Sequence, residues 1–347
     1  MKQTYLLATL LLLACIKINA QMIDVVTGLE GPTQIIVNGT DLYIPEFSGG
    51  KISKIDLNLT SPQVTNVISG LMSPDGIAFN GTDLYVAESN AGKISKVDLN
   101  ATSPTRVDVI TGLGGPRGIV LYGTYLYIAE LGANKISKID ITAVPPIPMD
   151  VVTGLTGPFG ILLSGSDLYI SVRNENKISK IDLNANTPTA IDVITSLTLP
   201  LGLAINGTQL YVMQHGAGKI SKIDISAITP TATDIVTGLN FPIGLAIYGT
   251  KLYFSDLDKI VKVDLNTLST EDVIIENSIK IYPNPASDYL QISGLQKSQS
   301  YSIYNSVSSK IKAGHVKNLE KINVNDFAKG VYFLNLQNGM IIKFIKQ

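Results

Sequence analysis

The six-residue stretch KISKID occupies residues 51–56 and returns unchanged at residues 135–140, 177–182 and 219–224. Close copies stand at 93–98 (KISKVD) and 259–264 (KIVKVD), so six versions follow one another at a nearly constant step. A stretch of this kind, rich in β-branched residues and only six residues long, is typical of a β-strand. The chain therefore repeats one structural unit six times, with one copy of this stretch in each unit.

Three further columns keep a step of 42 residues. They are Tyr43, Tyr85, Tyr127, Tyr169, Tyr211 and Tyr253; Gly39, Gly81, Gly123, Gly165, Gly207 and Gly249; and Pro32, Pro74, Pro116, Pro158, Pro200 and Pro242. A period of about 40–45 residues holding four short strands is typical of a propeller blade. The sequence thus predicts an all-β, six-bladed β-propeller over residues 21–277. An open β-solenoid is the alternative, and it would need capping ends that the sequence does not show.

Residues 70–111 illustrate the predicted blade. Its strands are expected at 76–79, 83–88, 93–98 and 106–110, with a hairpin turn at Gly81. Ile94 and Val97 are three residues apart, so in a strand their side chains point to opposite faces. Such a strand suits a sheet covered on both sides by neighbouring blades. The small side chain of Ser95 would keep the packing layer thin where two neighbouring sheets cross, and Lys93 would reach solvent at the strand end.

Ring closure has two candidate strands. Met22–Gly28 copies the outer strand of the other units although it precedes the first complete unit, so it is expected to pair into the last blade. Glu271–Ile275 is a competing outer strand, and the sequence alone does not choose between them.

The patterns GLxxPxGI, xLYVAE and KISKID resemble the NHL and related six-bladed propellers over residues 22–277. That superfamily includes gluconolactonase-like enzymes and streptogramin lyases. The resemblance implies the fold, whereas its members serve as enzymes, scaffolds and binding platforms.

The first twenty residues have the features of a secretory signal peptide. Lys2 precedes an apolar run from Tyr5 to Cys15, and cleavage is expected between Ala20 and Gln21. Cleavage there would remove the only cysteine and leave no transmembrane segment in the mature chain. The alternative is a lipoprotein in which Cys15 is the acceptor.

Residues 278–347 lose the 42-residue period and show alternating strands that predict a small β-sandwich. Tyr282-Pro-Asn-Pro285, Lys329-Gly-Val-Tyr332 and the closing Lys343-Phe-Ile-Lys346 resemble the C-terminal sorting domain of the type IX (Por) secretion system of Bacteroidota. The resemblance implies that this domain contacts the type IX machinery. Export would then run through the periplasm to the outer-membrane surface or the medium. A carbohydrate-binding β-sandwich is the alternative.

A metal site is one hypothesis for the channel mouth. Three residues past the repeated tyrosine stand Glu46, Glu88, Glu130, Val172, Gln214 and Asp256. Four carboxylates around one mouth would suit calcium or magnesium, which take several oxygen ligands. In the alternative interpretation, each carboxylate accepts hydrogen bonds from its own loop or a neighbouring blade.

A ligand-binding surface is the other hypothesis for the mouth. Directly after the repeated proline come Thr33, Asp75, Arg117, Phe159, Leu201 and Ile243. The loops after the second strands add Phe47, Arg173, Asn174 and His215. This mixture of charged and aromatic side chains favours recognition of a polar ligand, with Arg117 and Phe159 as the main expected contacts. His215 has no histidine partner in the propeller, and a lone loop histidine is more often solvated than catalytic.

The functional prediction is a secreted or cell-surface propeller that binds a glycan, peptide or protein at its mouth, and the sequence leaves the question of enzymatic activity open. The alternative is a metal-dependent lyase or lactonase using Glu46, Glu88, Glu130 or Asp256; in the lyases to which the chain is similar, a histidine and a metal-binding glutamate act in this region. The net charge is −1 and an acid follows each lysine pair, so nucleic acid is not expected as a partner.

Overall fold

The computed structural model describes residues 22–267, 280–293, 295, 298–305, 309–336 and 341–347. The chain divides into two compact units, Met1–Ile274 and Ile275–Gln347. The predicted signal peptide and the competing strand Glu271–Ile275 lie outside the described residues. Among those residues, none of the helices combines the length and the apolar character that crossing a membrane requires.

The strands of the first unit follow the repeat. In chain order they are β1 (Ile23–Thr27); β2 (Ile36–Asn38), β3 (Asp41–Glu46), β4 (Lys51–Asp56), β5 (Thr65–Ser69); β6 (Pro74–Asn80), β7 (Asp83–Glu88), β8 (Lys93–Asp98), β9 (Arg106–Thr111); β10 (Pro116–Tyr122), β11 (Tyr125–Glu130), β12 (Lys135–Asp140), β13 (Met149–Thr153); β14 (Pro158–Ser164), β15 (Asp167–Val172), β16 (Lys177–Asp182), β17 (Ile191–Ile194); β18 (Pro200–Asn206), β19 (Gln209–Gln214), β20 (Lys219–Asp224), β21 (Ala232–Val236); and β22 (Pro242–Tyr248), β23 (Lys251–Asp256), β24 (Lys259–Asp264). Single turns of 3₁₀ helix follow three second strands, at Ser89–Ala91, Arg173–Glu175 and His215–Ala217.

Within the described residues these strands form six antiparallel four-stranded sheets, which are the blades. Blades I to V are β2–β5, β6–β9, β10–β13, β14–β17 and β18–β21, each in simple meander order. Blade VI combines β22, β23 and β24 with β1 from the start of the chain. The predicted six-bladed propeller is confirmed.

The strand β1 closes the ring. It pairs antiparallel with β24, with Ile23 opposite Lys262 and Thr27 opposite Lys259. Lys259 Nζ also lies 2.9 Å from Asp24 Oδ1 across this pair. The prediction that Met22–Gly28 supplies the outer strand of the last blade is thereby confirmed. First and last segments share one sheet, so opening the ring requires breaking this pairing.

The two faces of the KISKID strand pack on different neighbours. Ile94 belongs to an apolar cluster with Leu126 of blade III, whereas Val97 belongs to one with Tyr43 of blade I. Ile94 and Val97 are fully buried, and burying such a side chain contributes roughly 1.5–3 kcal/mol. The repeated phrase therefore supplies apolar cover to both neighbours of each blade.

Lys93 corrects one expectation about this strand. Its residue exposure is only 8%, and its Nζ lies 2.7 Å from Asp108 Oδ1 on the outer strand. An aliphatic lysine stem can lie along apolar surface while its ammonium group meets a carboxylate at the strand end. Lys93 thus pairs across the blade and does not extend into solvent.

Glycines allow the inner strands to approach one another around the central axis. A Cβ on Gly160 would lie 2.3 Å from the carbonyl oxygen of Leu201, so only glycine fits. Equivalent glycines occur in blades II, III, V and VI, but blade I has Gln34 at this position. Gln34 Oε1 would be 3.2 Å from a Cβ on Gly118, which places its side chain across the channel.

The C-terminal unit has its own core. Its strands are β25 (Lys280–Tyr282), β26 (Tyr289–Ser293), β27 (Gln299–Asn305), β28 (Lys310–Val316), β29 (Lys321–Asn323), β30 (Gly330–Leu336) and β31 (Ile341–Lys346). They form one three-stranded sheet (β25, β26, β29) and one four-stranded sheet (β28, β27, β30, β31). Leu290 and Ile292 of the first sheet share one buried cluster with Ile303, Leu334 and Phe344 of the second. Two sheets around one core make the predicted β-sandwich.

Candidate functional site

A cavity of about 220 Å³ lies where the loops of all six blades meet. Its lining includes the main predicted ligand contacts Phe47, Asp75, Arg117, Phe159, Arg173 and His215, whereas Asn174, which the sequence also placed at this surface, is not among the lining residues. The repeat explains this placement, because each of these residues follows either the blade's proline or the end of its second strand. Residues far apart in the chain therefore face one space.

Asp75 and Arg117 form an ion pair between adjacent blades. Arg117 Nη1 lies 2.7 Å from Asp75 Oδ2, and Gln34 Nε2 donates to Asp75 Oδ1 at 3.2 Å. Asp75 is only 1% exposed. Burial raises the pKa of Asp75, while the charge and hydrogen bond of Arg117 and the hydrogen bond of Gln34 act to lower it. Asp75 thus depends on Arg117 to remain ionised in this wall.

Aromatic rings hold the other sides of Arg117. Its guanidinium carbon lies 5.4 Å from the ring centroid of Phe47 and 5.5 Å from that of Phe159. Both distances are within the range of cation–π attraction. Arg117 is therefore a fixed part of the cavity wall, with its charge already balanced by Asp75.

Arg173 differs from Arg117 because its charge has no partner. It opens the short 3₁₀ turn of blade IV, and its backbone N–H donates to the Gly157 carbonyl at 3.0 Å. Within the described part of the chain, its guanidinium forms no ion pair; its buried Nε has no hydrogen-bond partner, which is also true of the Nε of Arg117. An arginine carries five donors and stays protonated, so Arg173 brings an uncompensated cation to the cavity.

His215 is held in a defined tautomer. Its Nδ1 lies 3.0 Å from the carbonyl oxygen of Pro242, which accepts a hydrogen bond and so requires a proton on Nδ1. The ring also packs edge to face on Phe241, with centroids 4.6 Å apart. In the neutral imidazole, Nε2 is then an acceptor.

Two apolar residues of the rim were missed by the sequence comparison. Leu257 follows Asp256 in the same column as Phe47, so that column already contained the signal. Phe241 stands directly before Pro242, whereas only the residue after each proline was compared. Their side chains are unusually open, with Phe241 53% and Leu257 57% exposed.

The four predicted metal ligands do not meet. Glu46, Glu88, Glu130 and Asp256 are each buried in their own blade and do not line the cavity. Among the described residues, no group of three or more His, Cys, Asp or Glu side chains is arranged to hold a metal ion. The geometry differs in this respect from a ring of carboxylates at one mouth.

Glu130 shows what this column does. Its Oε2 accepts a hydrogen bond from the backbone N–H of Gly114 at 2.7 Å, and its Oε1 accepts one from Ser137 Oγ at 2.5 Å. In blade V, Gln214 makes the same two contacts with an amide, to Thr198 N–H and Ser221 Oγ. An uncharged side chain can do this work, so in blades I, II, III and V the column ties the entry loop to the third strand.

Blade IV reaches the same end by another route. Val172 occupies the column and accepts nothing, but Glu175 accepts a hydrogen bond from the Thr156 backbone N–H at 2.7 Å. The loop N–H is therefore satisfied in this blade too. In blade IV the acid therefore stands at position 175, and Arg173, two residues earlier, lies at the cavity without a carboxylate partner among the described residues.

Residues 280–347 match the family described as secretion system C-terminal sorting domain. The C-terminal unit is thus a Por-type sorting domain, which marks the protein for export by the type IX secretion system to the cell surface or the medium. Beta-agarase A of Zobellia galactanivorans is 33% identical over 96 residues, covering 26% of this chain. The chain spans 18% of the length of that relative.

Solved structures similar to this chain are propellers. A chain of a nidogen/laminin complex covers 67% of this chain and 91% of its own length, with a TM-score of 0.58 and 21% identity. Virginiamycin B lyase from Staphylococcus aureus covers 78% and 94%, with a TM-score of 0.54 and 19% identity. A gluconolactonase from Xanthomonas campestris covers 71% and 89%, with a TM-score of 0.59 and 10% identity. At these identities the likeness shows the propeller fold alone, and the sorting domain is shown by the family match of residues 280–347.

Proposed function

We propose that the propeller is a binding module that holds its ligand in the mouth cavity formed by the six blades. The observation that carries the proposal is the guanidinium of Arg173, which has no ion pair among the described residues, in a largely apolar cavity. Clefts with mainly apolar walls and a few placed polar groups are the usual form of a ligand site. The absence of an assembled catalytic set among the cavity-lining residues favours binding over chemistry.

Arg173→Met and Phe241→Ala should abolish or weaken binding of any ligand found by screening the protein against peptides, small acids and glycans. Both side chains line the cavity and neither belongs to an ion pair, so the fold is expected to survive. Isothermal titration calorimetry measures the effect. Lys222→Met, outside the cavity on β20, is the charge-matched control. Binding that both cavity variants retain in full would place the ligand elsewhere and refute the proposal.

Arg117 is a poor test of binding, although the sequence favours it. Its guanidinium neutralises buried Asp75, so Arg117→Ala would damage the cavity wall whether or not a ligand contacts it. Loss of binding in that variant would not show whether Arg117 contacts the ligand or only stabilises the cavity wall. Arg173 is the cleaner choice.

We further propose that a signal peptide is removed by cleavage after Ala20. The exported form then consists of a propeller over residues 21–277 and a sorting domain over 278–347. The match of residues 280–347 supports the export route. Intact-mass analysis of protein from the culture medium of the source bacterium is expected to give an N-terminus at Gln21. A lipid on Cys15 would contradict this and favour the lipoprotein alternative.

A further inference from the structure

We infer that the ligand of the mouth cavity is a carboxylate carried on a small apolar body, with Arg173 binding the carboxylate. The inference rests on the proposed binding function and names the class of ligand. A free carboxylic acid and the C-terminal residue of a peptide share this chemistry.

The charge of the cavity supports an anion. Its charged lining residues are Asp75, Arg117 and Arg173, and the first two neutralise each other at 2.7 Å. Arg173 remains without an ion pair among the described residues, and its buried Nε, like that of Arg117, has no hydrogen-bond partner. A guanidinium fork matches the two oxygens of a carboxylate, and such charge-assisted pairs are stronger than neutral hydrogen bonds. A bound carboxylate would satisfy both the charge and the unused donors.

The acceptors in the cavity disfavour a polyhydroxyl ligand. Asp75 is occupied by Arg117 and Gln34, and Thr33 Oγ1 donates to backbone carbonyls. His215 Nε2 is an acceptor, whereas most of the polar capacity consists of arginine donors. A sugar ring presents several hydroxyl donors that need acceptors, and leaving buried donors unpaired is costly.

The rest of the lining suits an apolar body. Phe241 and Leu257 expose more than half of their surface at the rim, while Leu201 and Ile243 lie in the wall. The free faces of Phe47 and Phe159 are partly taken by Arg117. A ligand seated against Phe241 and Leu257 would remove apolar surface from water at roughly 25 cal/mol per Å².

The cavity is small and has a floor. Its volume of about 220 Å³ lies below the range of roughly 300–1,000 Å³ common for drug-sized ligands. Gln34 binds Asp75 at the mouth and also lines the apolar channel on the other side, so its side chain separates the two spaces. One terminal residue or one small acid therefore fits, and a chain threaded through the axis does not. Capture of a C-terminal carboxylate is an established way to recognise a peptide end.

Calorimetric titration of the full mature chain tests this inference with four probes. They are N-acetyl-L-phenylalanine, its primary amide, a pentapeptide ending in phenylalanine and glucuronate. We expect the acid to bind at least about tenfold more tightly than its amide, because the charge-assisted pair is lost. Arg173→Met should reduce acid binding by about tenfold or more and amide binding by a smaller factor, whereas Lys222→Met should bind like wild type. Tighter binding of the pentapeptide than of the free acid would identify a peptide end as the source.

Several results would overturn the inference. Equal affinity for acid and amide would do so, as would acid binding that Arg173→Met leaves unchanged, or glucuronate binding as tightly as N-acetyl-L-phenylalanine. The inference would also be overturned if N-acetyl-L-phenylalanine, glucuronate and the pentapeptide all gave no heat of binding at about 10 mM, because millimolar affinity is detectable at that concentration. The proposed function would survive these results if a neutral ligand bound and Phe241→Ala weakened it. It would fail with the inference if no ligand responded to either cavity variant.

Discussion

Arg117→Met is expected to lower the free energy of unfolding by about 3 kcal/mol at neutral pH. The substitution keeps much of the apolar stem but leaves the carboxylate of Asp75, 1% exposed, with only Gln34 as a partner. An unpaired buried charge is among the few defects that give single-residue losses of this size. The rings of Phe47 and Phe159 would also lose the guanidinium between them.

The loss should depend on pH with a definite sign. Burial already raises the pKa of Asp75, and removing Arg117 removes the main opposing influence. A carboxyl whose pKa is higher in the folded than in the unfolded protein binds protons preferentially in the folded state. The variant's deficit should therefore be greatest above the folded-state pKa and shrink as pH falls towards about 4, the ordinary value for aspartate.

Urea unfolding at about pH 7.5 and about pH 4.5 measures this effect. The double variant Asp75→Asn/Arg117→Met should recover much of the stability at neutral pH, because the buried group is then uncharged. Arg173→Met is the matched control in the same cavity; it breaks no ion pair and should change stability by less than about 0.5 kcal/mol. A deficit of equal size at both pH values would contradict the role assigned to Asp75.

Deletion of residues 22–28 is expected to abolish cooperative folding of the propeller. The deleted segment contains the strand that pairs with β24 and buries Val26 in the cluster shared by blades VI and I. Without it, Lys259–Asp264 becomes an unpaired edge, and Ile260 loses cover. A blade cannot bury its faces alone, so losing closure weakens every interface that depends on the ring. An exposed strand edge also promotes aggregation.

Scanning calorimetry and size-exclusion chromatography of the mature chain test this expectation. The deleted form should show no sharp propeller transition, or one lowered by well over about 10 °C, together with association. Ile23→Ser is the control, because this side chain is 45% exposed on the same strand and its substitution keeps the backbone pairing. If the shortened chain stays monomeric and melts near the parent, β1 is not needed for closure.

The success of the fold prediction has a physical basis in the repeat. Each blade solves the same packing problem, so Ile94 and Val97 recur at the same spacing in every copy, and the number of copies equals the number of blades. The closing strand was predictable because Met22–Gly28 repeats the pattern of an outer strand ahead of the first complete unit. Glu271–Ile275 was a competing candidate in sequence, and the pairing of β1 with β24 shows that β1 supplies the outer strand of blade VI.

The repeat also explains why only part of the candidate site could be predicted from the sequence. Comparing columns identified six residues that line the cavity, since the fold carries equivalent positions to one face. It left two interpretations of the Glu46 column open, because sequence does not show which way a loop carboxylate turns. Gln214 in that column was a usable hint, since an amide is a weak substitute for a metal-binding carboxylate but an adequate one for a hydrogen bond to Ser221.

Order along the chain by itself determined the blade count, the strand positions and the sorting domain, because these follow from local patterns repeated at fixed spacing or gathered in one short segment. Only the folded ring decided that Arg117 forms an ion pair with Asp75, whereas Arg173 forms no ion pair among the described residues. Which charges meet across an axis depends on distances between different blades and on the depth at which each side chain is buried. No local pattern encodes those distances.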